Sequence, residues 1–344
     1  MKRTGIVLAF SLAHCGICFG QPPAAKLQSL PLSEVSGAVN IGEDRLLLIA
    51  DEGYQVQRVT EARAAFETAT FKDRLKPLSP AMNGSKKSKE VMDDIEDVAW
   101  DPARGAVFAI TSHSRSKKQD AVKDPKGQKP ERHRLARLVL KDGALESAKE
   151  LDVLESALKG ISFVADAMKR PHQAGGEQGT FNIEGLAFEP FQGRLLIGLR
   201  SPTLDHHGKS AAAVLVLRNP HALFDAKAKA VLDLQPISLD LDGAGIRGMT
   251  WDPERQGVWI VAGRSADPDA PADHVLSTVW FWDPNHPDRS PRKAPLDLES
   301  LESLESVCVL DRGGRHGLLL VSDDGGDSTE SRYLWVPAPE TSGP

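Results

Sequence analysis

Val35-Ser36-Gly37-Ala38-Val39 is the first of five copies of one short pattern. The others are Ile95-Glu96-Asp97-Val98-Ala99, Ile183-Glu184-Gly185-Leu186-Ala187, Ile246-Arg247-Gly248-Met249-Thr250 and Leu304-Glu305-Ser306-Val307-Cys308. Each copy has a polar residue second. After a short turn, each is followed by an apolar run that closes on charged or polar residues: 46–52, 107–113, 195–201, 258–264 and 318–324. Each unit therefore reads as a β-hairpin. The copies start 60, 88, 63 and 58 residues apart, and a repeat of that size without helical periodicity marks a radial or stacked β array rather than one mixed sheet.

Extending each hairpin outward gives four strands per unit, the content of a propeller blade. The expected strands are 35–40, 45–51, 54–60 and 66–71; then 95–101, 106–112, 134–140 and 148–153; then 182–188, 194–200, 212–217 and 230–239; then 246–251, 257–263, 278–283 and a weak one near 296–298. The fifth unit supplies only 304–310, 317–322 and 332–337, and the segment 25–32 has the length and apolar content to add its fourth strand. Closing a ring in this way removes the exposed edges that an open array would leave. The expected fold is all-β: a single β-propeller of five four-stranded blades closed by the N-terminal strand, with six blades as the alternative. The long spacing between the second and third copies spans 154–180, which has helix-like apolar spacing and then a glycine-rich approach to the next strand. It reads as an insertion, as do 76–93 and 115–133.

Met1-Lys2-Arg3 followed by a mostly apolar run to Phe19, with small residues at Cys18 and Gly20, reads as a secretory signal over 1–20. The domain is then 21–344, exported to the periplasm or the medium. His14 fits poorly before a lipidated cysteine, which argues against anchoring at Cys15. Cleavage leaves Cys308 with no partner for an internal disulfide. No later stretch is long and apolar enough to span a membrane. A net charge of −6 without basic bias argues against nucleic acid as partner, and the basic segment 115–134 reads as a solvated loop. No partner protein is indicated.

In antiparallel hairpins the start of strand one and the end of strand two share one end of the blade, beside the channel. That gathers Ser36, Glu96, Glu184, Arg247 and Glu305 with Asp51, Glu52, Ser112, His113, Arg200, Ser201, Arg264, Asp323 and Asp324. Several carboxylates at one narrow mouth need compensation. Two compensators are open: pairing with Arg200, Arg247 and Arg264, or a hard divalent cation such as calcium on Glu96, Glu184, Glu305, Asp323 and Asp51. In the cation case Arg200, Arg247, Arg264 and Ser112 would hold a small anionic ligand and His113 would carry the proton. The acids could equally serve the repeat itself by bonding neighbouring backbone. Trp100, Trp251, Trp259, Trp280, Trp282 and Trp335 fall on expected strands and read as packing between blades.

The strings Asp94-Ile95-Glu96-Asp97-Val98-Ala99, Thr111-Ser112-His113-Ser114-Arg115, Phe181-Asn182-Ile183-Glu184-Gly185-Leu186, Leu196-Ile197-Gly198-Leu199-Arg200-Ser201-Pro202, Gly245-Ile246-Arg247-Gly248 and Ser322-Asp323-Asp324-Gly325 together resemble the bacterial family called domain of unknown function 3616. That resemblance implies a secreted or periplasmic propeller-like protein of unestablished activity. In repeat style alone the chain is also similar to esterase-like phytase domains and calcium-dependent lactonase propellers, and no metal ligand carries over from them. Two functions are therefore expected: a divalent-metal-dependent hydrolase of phosphoesters or lactones, or a non-catalytic propeller that binds a ligand or a protein.

Overall fold

The runs Leu46 to Ala50 and Val107 to Ile110 are apolar at every position, so as strands they need cover on both faces. They have it, for each of these residues is buried. The computed structural model describes residues 27–30, 32, 34–42, 45–50, 53–59, 66–67, 76–77, 92, 94–114, 132–141, 144–170, 181–206, 208–265, 277–301, 303–323 and 331–340. Strand β1 (Gln28–Leu30) joins the end of the chain. Next, β2 (Val35–Asn40), β3 (Arg45–Ala50) and β4 (Gly53–Val59) form an antiparallel meander, and two short strands, β5 (Phe66–Glu67) and β6 (Lys76–Pro77), both pair with β4. The second sheet is β7 (Ile95–Asp101), β8 (Ala106–Thr111), β9 (Leu135–Lys141) and β10 (Ala144–Leu151). Helices α1 (Glu155–Leu158) and α2 (Ser162–Lys169) follow.

The third sheet is β11 (Asn182–Glu189), β12 (Arg194–His206), β13 (Lys209–Leu217) and, after α3 (Pro220–Asp225), β14 (Ile237–Leu239). The fourth is β15 (Gly245–Asp252), β16 (Gly257–Gly263), β17 (Thr278–Trp282) and β18 (Arg292–Lys293). In the last sheet β19 (Leu304–Val309), β20 (Gly317–Ser322) and β21 (Ser331–Pro337) take β1 as their outer strand, with Ser29 opposite Arg332.

The first strands of the sheets contact one another in sequence: β2 meets β7, β7 meets β11, β11 meets β15, β15 meets β19, and β19 returns to β2. Each neighbouring pair of sheets encloses its own apolar cluster. In the closing one, Leu46, Leu48 and Ala38 pack on Cys308, Leu319, Val321 and Leu30. The arrangement is all-β and propeller-like.

Several expectations need correction. Sheets of exactly four strands number four among the described residues, not five or six; the first unit departs because β4 carries two short outer strands in place of one. The outer strand of the fourth sheet is 292–293 rather than 296–298, because Leu296 and Leu298 turn inward and join the cluster between the fourth and fifth sheets. In the third sheet only 237–239 is strand, and Leu232 makes an isolated bridge to Leu217.

The helical spacing in 154–180 forms α1 and α2. Their apolar side, Leu154, Leu158, Ile161 and Val164, is buried against Phe108, Ile110 and Leu135 of the second sheet and Leu195 and Ile197 of the third. Each such aliphatic side chain contributes about 1.5–3 kcal/mol by leaving water. Most of the segments expected as insertions at 76–93 and 115–133, and the expected signal over 1–20, lie outside the described residues. No described helix is long and apolar enough to cross a membrane.

Candidate functional site

The repeated polar residue has a backbone cause. In all five hairpins the register breaks across it: the ladder skips from Val35 to Gly37, Ile95 to Asp97, Ile183 to Gly185, Ile246 to Gly248 and Leu304 to Ser306. Ser36, Glu96, Glu184, Arg247 and Glu305 are thus the extra residues of five β-bulges. A bulge places two residues opposite one, so the extra residue leaves the ladder and its side chain is re-aimed.

The third motif position faces the next sheet at close range. A Cβ on Gly248 would lie 2.5 Å from the Glu305 carbonyl oxygen and 3.2 Å from Ser306 Cα, and one on Gly37 would lie 3.0 Å from Asp97 Cα. Where that position is not glycine it carries an acceptor. Ser306 Oγ takes the N–H of Ala38 at 2.9 Å. Asp97 takes three: Val98 N–H at 2.8 Å, Leu186 N–H at 2.7 Å and Met249 N–H at 3.0 Å. All four donors are fourth-position residues of the motif. Asp97, itself buried, therefore ties the inner strands of the second, third and fourth sheets at the axis. Burial pushes its pKa well above the ordinary carboxylate range, and the three N–H groups oppose that shift.

At the strand-start mouth the structure joins Arg200, Glu184, Arg247 and Glu305 into one chain of ion pairs. Arg200 Nη1 donates to Glu184 Oε1 at 2.8 Å, where Asn182 Nδ2 also donates at 2.8 Å. Arg247 Nε lies 3.0 Å from Glu184 Oε2, and Arg247 Nη2 donates to Glu305 Oε1. Glu184 is buried with a guanidinium at each oxygen. Arginine pairing, one of the two compensators the sequence left open, is present at these residues. Among the described residues no group of three His, Cys, Asp or Glu side chains could hold a metal ion.

The remaining candidates make other contacts. Arg264 is exposed and offers its carbonyl to Arg200 Nε at 3.2 Å. Glu96 and Asp323 are half-buried, and the Asp323 N–H donates to the Ser303 carbonyl at 3.0 Å. Asp51, Glu52 and Asp324 lie outside the described residues. Ser112 is buried; its hydroxyl donates to Asp94 Oδ2, its carbonyl accepts the Ile183 N–H at 2.9 Å, and Arg132 Nη1 completes the cluster 3.0 Å from Asp94 Oδ2. His113 is also buried. It lies edge-on to His133 with ring centroids 5.4 Å apart, and its Nδ1 sits 2.8 Å from the Thr111 carbonyl. Burial, reinforced by repulsion from His133, lowers its pKa to about 3. At neutral pH the imidazole is therefore uncharged, and none of its hydrogen bonds or ring contacts reaches the arginine–glutamate chain.

The opposite mouth, where strand one ends and strand two begins, holds a cavity of about 190 Å³. Part of its wall belongs to a second repeat, Trp100-Asp101-Pro102, Phe188-Glu189-Pro190 and Trp251-Asp252-Pro253, of which Trp100, Pro102, Phe188, Trp251 and Pro253 line the space. In each triplet the buried acid closes the hairpin. Asp101 Oδ1 accepts Ala103 N–H at 3.0 Å, Glu189 Oε1 accepts Phe191 N–H at 2.8 Å, and Asp252 Oδ1 accepts Glu254 and Arg255 N–H at 3.0 Å. With its turn fixed, the aromatic before each acid lines the cavity. Trp100 and Trp251, expected only as packing, thus also face a space; Trp259, Trp280 and Trp282 are buried in the core as expected.

His316 stands on the cavity wall, bridging the turns of the fourth and fifth sheets. Its Nε2 is 2.8 Å from Asp252 Oδ2, while its Nδ1 is 2.8 Å from Asp311 Oδ1 and 3.2 Å from Glu254 Oε2. Burial works against the charged ring, but these carboxylates outweigh it and raise the pKa above the ordinary histidine value. Asp252 answers in kind: burial would raise its pKa, and the bonds from His316, Arg255 and Trp259 lower it. The signal in the sequence that locates this mouth is the aromatic–acid–proline triplet after each of three motif copies.

Among solved structures the chain is similar to a nidogen/laminin complex at 12% identity and TM-score 0.38, covering 85% of this chain and 76% of that one. It is similar to the major Malassezia sympodialis allergen Mala s 1 at 11% identity and TM-score 0.40, covering 89% and 78%. A glucose dehydrogenase matches at 16% identity and TM-score 0.36, covering 86% and 78%. At such scores these likenesses carry no argument about function. No curated protein matches the chain. The model of one family matches residues 139–324, more than half of the sequence, and the chain belongs to that family, the protein of unknown function DUF3616.

Proposed function

We propose that this chain is an exported, non-catalytic propeller that binds a ligand or a protein, formed as one domain over 21–344. The irregular sheet of β2 to β6 takes the place of a fifth blade; the cyclic contacts of the first strands support that reading. Fold alone assigns no activity, so the reading rests on the site. One observation carries it. Two of the three glutamates that would hold a divalent cation are matched by arginines, with Glu184 between Arg200 and Arg247 and Glu305 on Arg247. A carboxylate whose charge is already matched by a guanidinium attracts a hard cation less than a free one does.

Calorimetric titration of the purified protein with calcium, magnesium and manganese tests this. The expected result is no saturable micromolar binding. Micromolar binding that disappears in a Glu184→Gln, Glu305→Gln variant would overturn the reading in favour of the metal-dependent hydrolase.

A further inference from the structure

The cavity at the turn-side mouth combines three features. Its walls are aromatic and apolar, with Trp100, Phe188 and Trp251 beside Pro102 and Pro253. Its rim extends outward through Phe191, which is 62% exposed and packs edge-on against Trp251 with ring centroids 5.9 Å apart. An exposed phenylalanine beside a half-buried tryptophan is apolar surface left uncovered by the described residues.

Charge supplies the third feature. The ionisable residues that line the cavity are Glu254, Asp311 and His316. Behind them, the charge of Asp252 is matched by Arg255, whose Nη1 lies 3.3 Å away. The single Nδ1–H of His316 faces both Asp311 and Glu254, and one N–H cannot satisfy two carboxylates. With His316 charged, the lining still keeps one carboxylate in excess. Both acids are largely exposed, with side chains 69% and 65% accessible, so either can turn toward a bound group.

Size narrows the occupant. A cavity of about 150 Å³ holds a benzene molecule, so the 190 Å³ here suits one ring with a short arm. We propose that the turn-side mouth binds a small organic cation, an amine carried on a flat apolar body. The body sits among Trp100, Phe188 and Trp251, and the ammonium meets Asp311 and Glu254. This deepens the binding reading by naming a ligand class, and it uses the mouth opposite the arginine–glutamate chain.

Phenethylamine, 2-phenylethanol and 3-phenylpropionate share one body and differ in charge, so they serve as probes, followed by calorimetry and tryptophan fluorescence on the whole protein. Phenethylamine is expected to bind at least about tenfold more tightly than 3-phenylpropionate, with 2-phenylethanol between. An Asp311→Asn, Glu254→Gln variant should lose that order while keeping the affinity for 2-phenylethanol, and Trp251→Ala should weaken all three. Equal binding of the three probes, binding of none, or an unchanged order in the charge variant would overturn the ligand class. None of these outcomes touches the binding reading, which stands or falls on the metal titration at the other mouth.

Discussion

Asp97 is one side chain on which three sheets depend. Its two oxygens accept three backbone N–H groups that would otherwise face the axis without a partner. A buried N–H left unpaired costs about 1–3 kcal/mol. Asp97→Ala is therefore expected to lower the unfolding free energy by about 3 kcal/mol or more in urea denaturation. Asp97→Asn should fall between, since its amide keeps one acceptor oxygen and turns an NH₂ toward donors. A neutral Asp97→Ala would show that water replaces the carboxylate and that the hub is dispensable. The residue was visible in the sequence only as a member of the second motif copy. What made it special was invisible there, because its partners Leu186 and Met249 are 89 and 152 residues away.

The element that recurs is a hairpin whose first strand is bulged at its second motif residue. The periodic polar position in the sequence marked the hairpin and its end correctly, yet the reason for its polarity is that the residue has left the ladder. The third position is where one element meets the next. Adding a methyl group at Gly248 would drive a Cβ against the Glu305 carbonyl, and backbone cannot swing aside as a side-chain tip can. Gly248→Ala is expected to destabilise by about 1–3 kcal/mol, the usual cost of overpacking. A thermal midpoint equal to that of the parent would mean that the inner strands are less tightly crossed than described. Outer strands were the hardest to read from sequence: β18 is two residues long with both side chains exposed, so no apolar alternation announces it.

At the scale of the whole molecule, stability depends on joining the two ends of the described chain. β1 covers the edge of β21, Leu30 is buried in the closing cluster, and Tyr333 Oη donates to Gln28 Oε1. A chain that starts at residue 31 should lose about 2 kcal/mol or more relative to one that starts at 21, from the Leu30 burial and the missing ladder. It should also associate through the bare β21 edge. Thermal unfolding together with size-exclusion chromatography reads both effects. Equal stability and a monomeric profile would show that β1 is an accessory rather than the closure.

The sequence by itself determined the repeat, the hairpins and the closing strand, because these follow from local apolar runs, turn residues and a missing fourth strand, all legible within one unit. It also placed Arg200, Arg247, Glu184 and Glu305 at a common mouth. Only the tertiary structure shows which arginine stands beside which glutamate, because a carboxylate's partner depends on which side chain the neighbouring sheet brings within about 3 Å. The cavity at the far mouth was likewise decided in three dimensions. Trp100, Phe188 and Trp251 are ordinary strand-end aromatics in sequence, and they become walls of one space only when the ring brings three turns together.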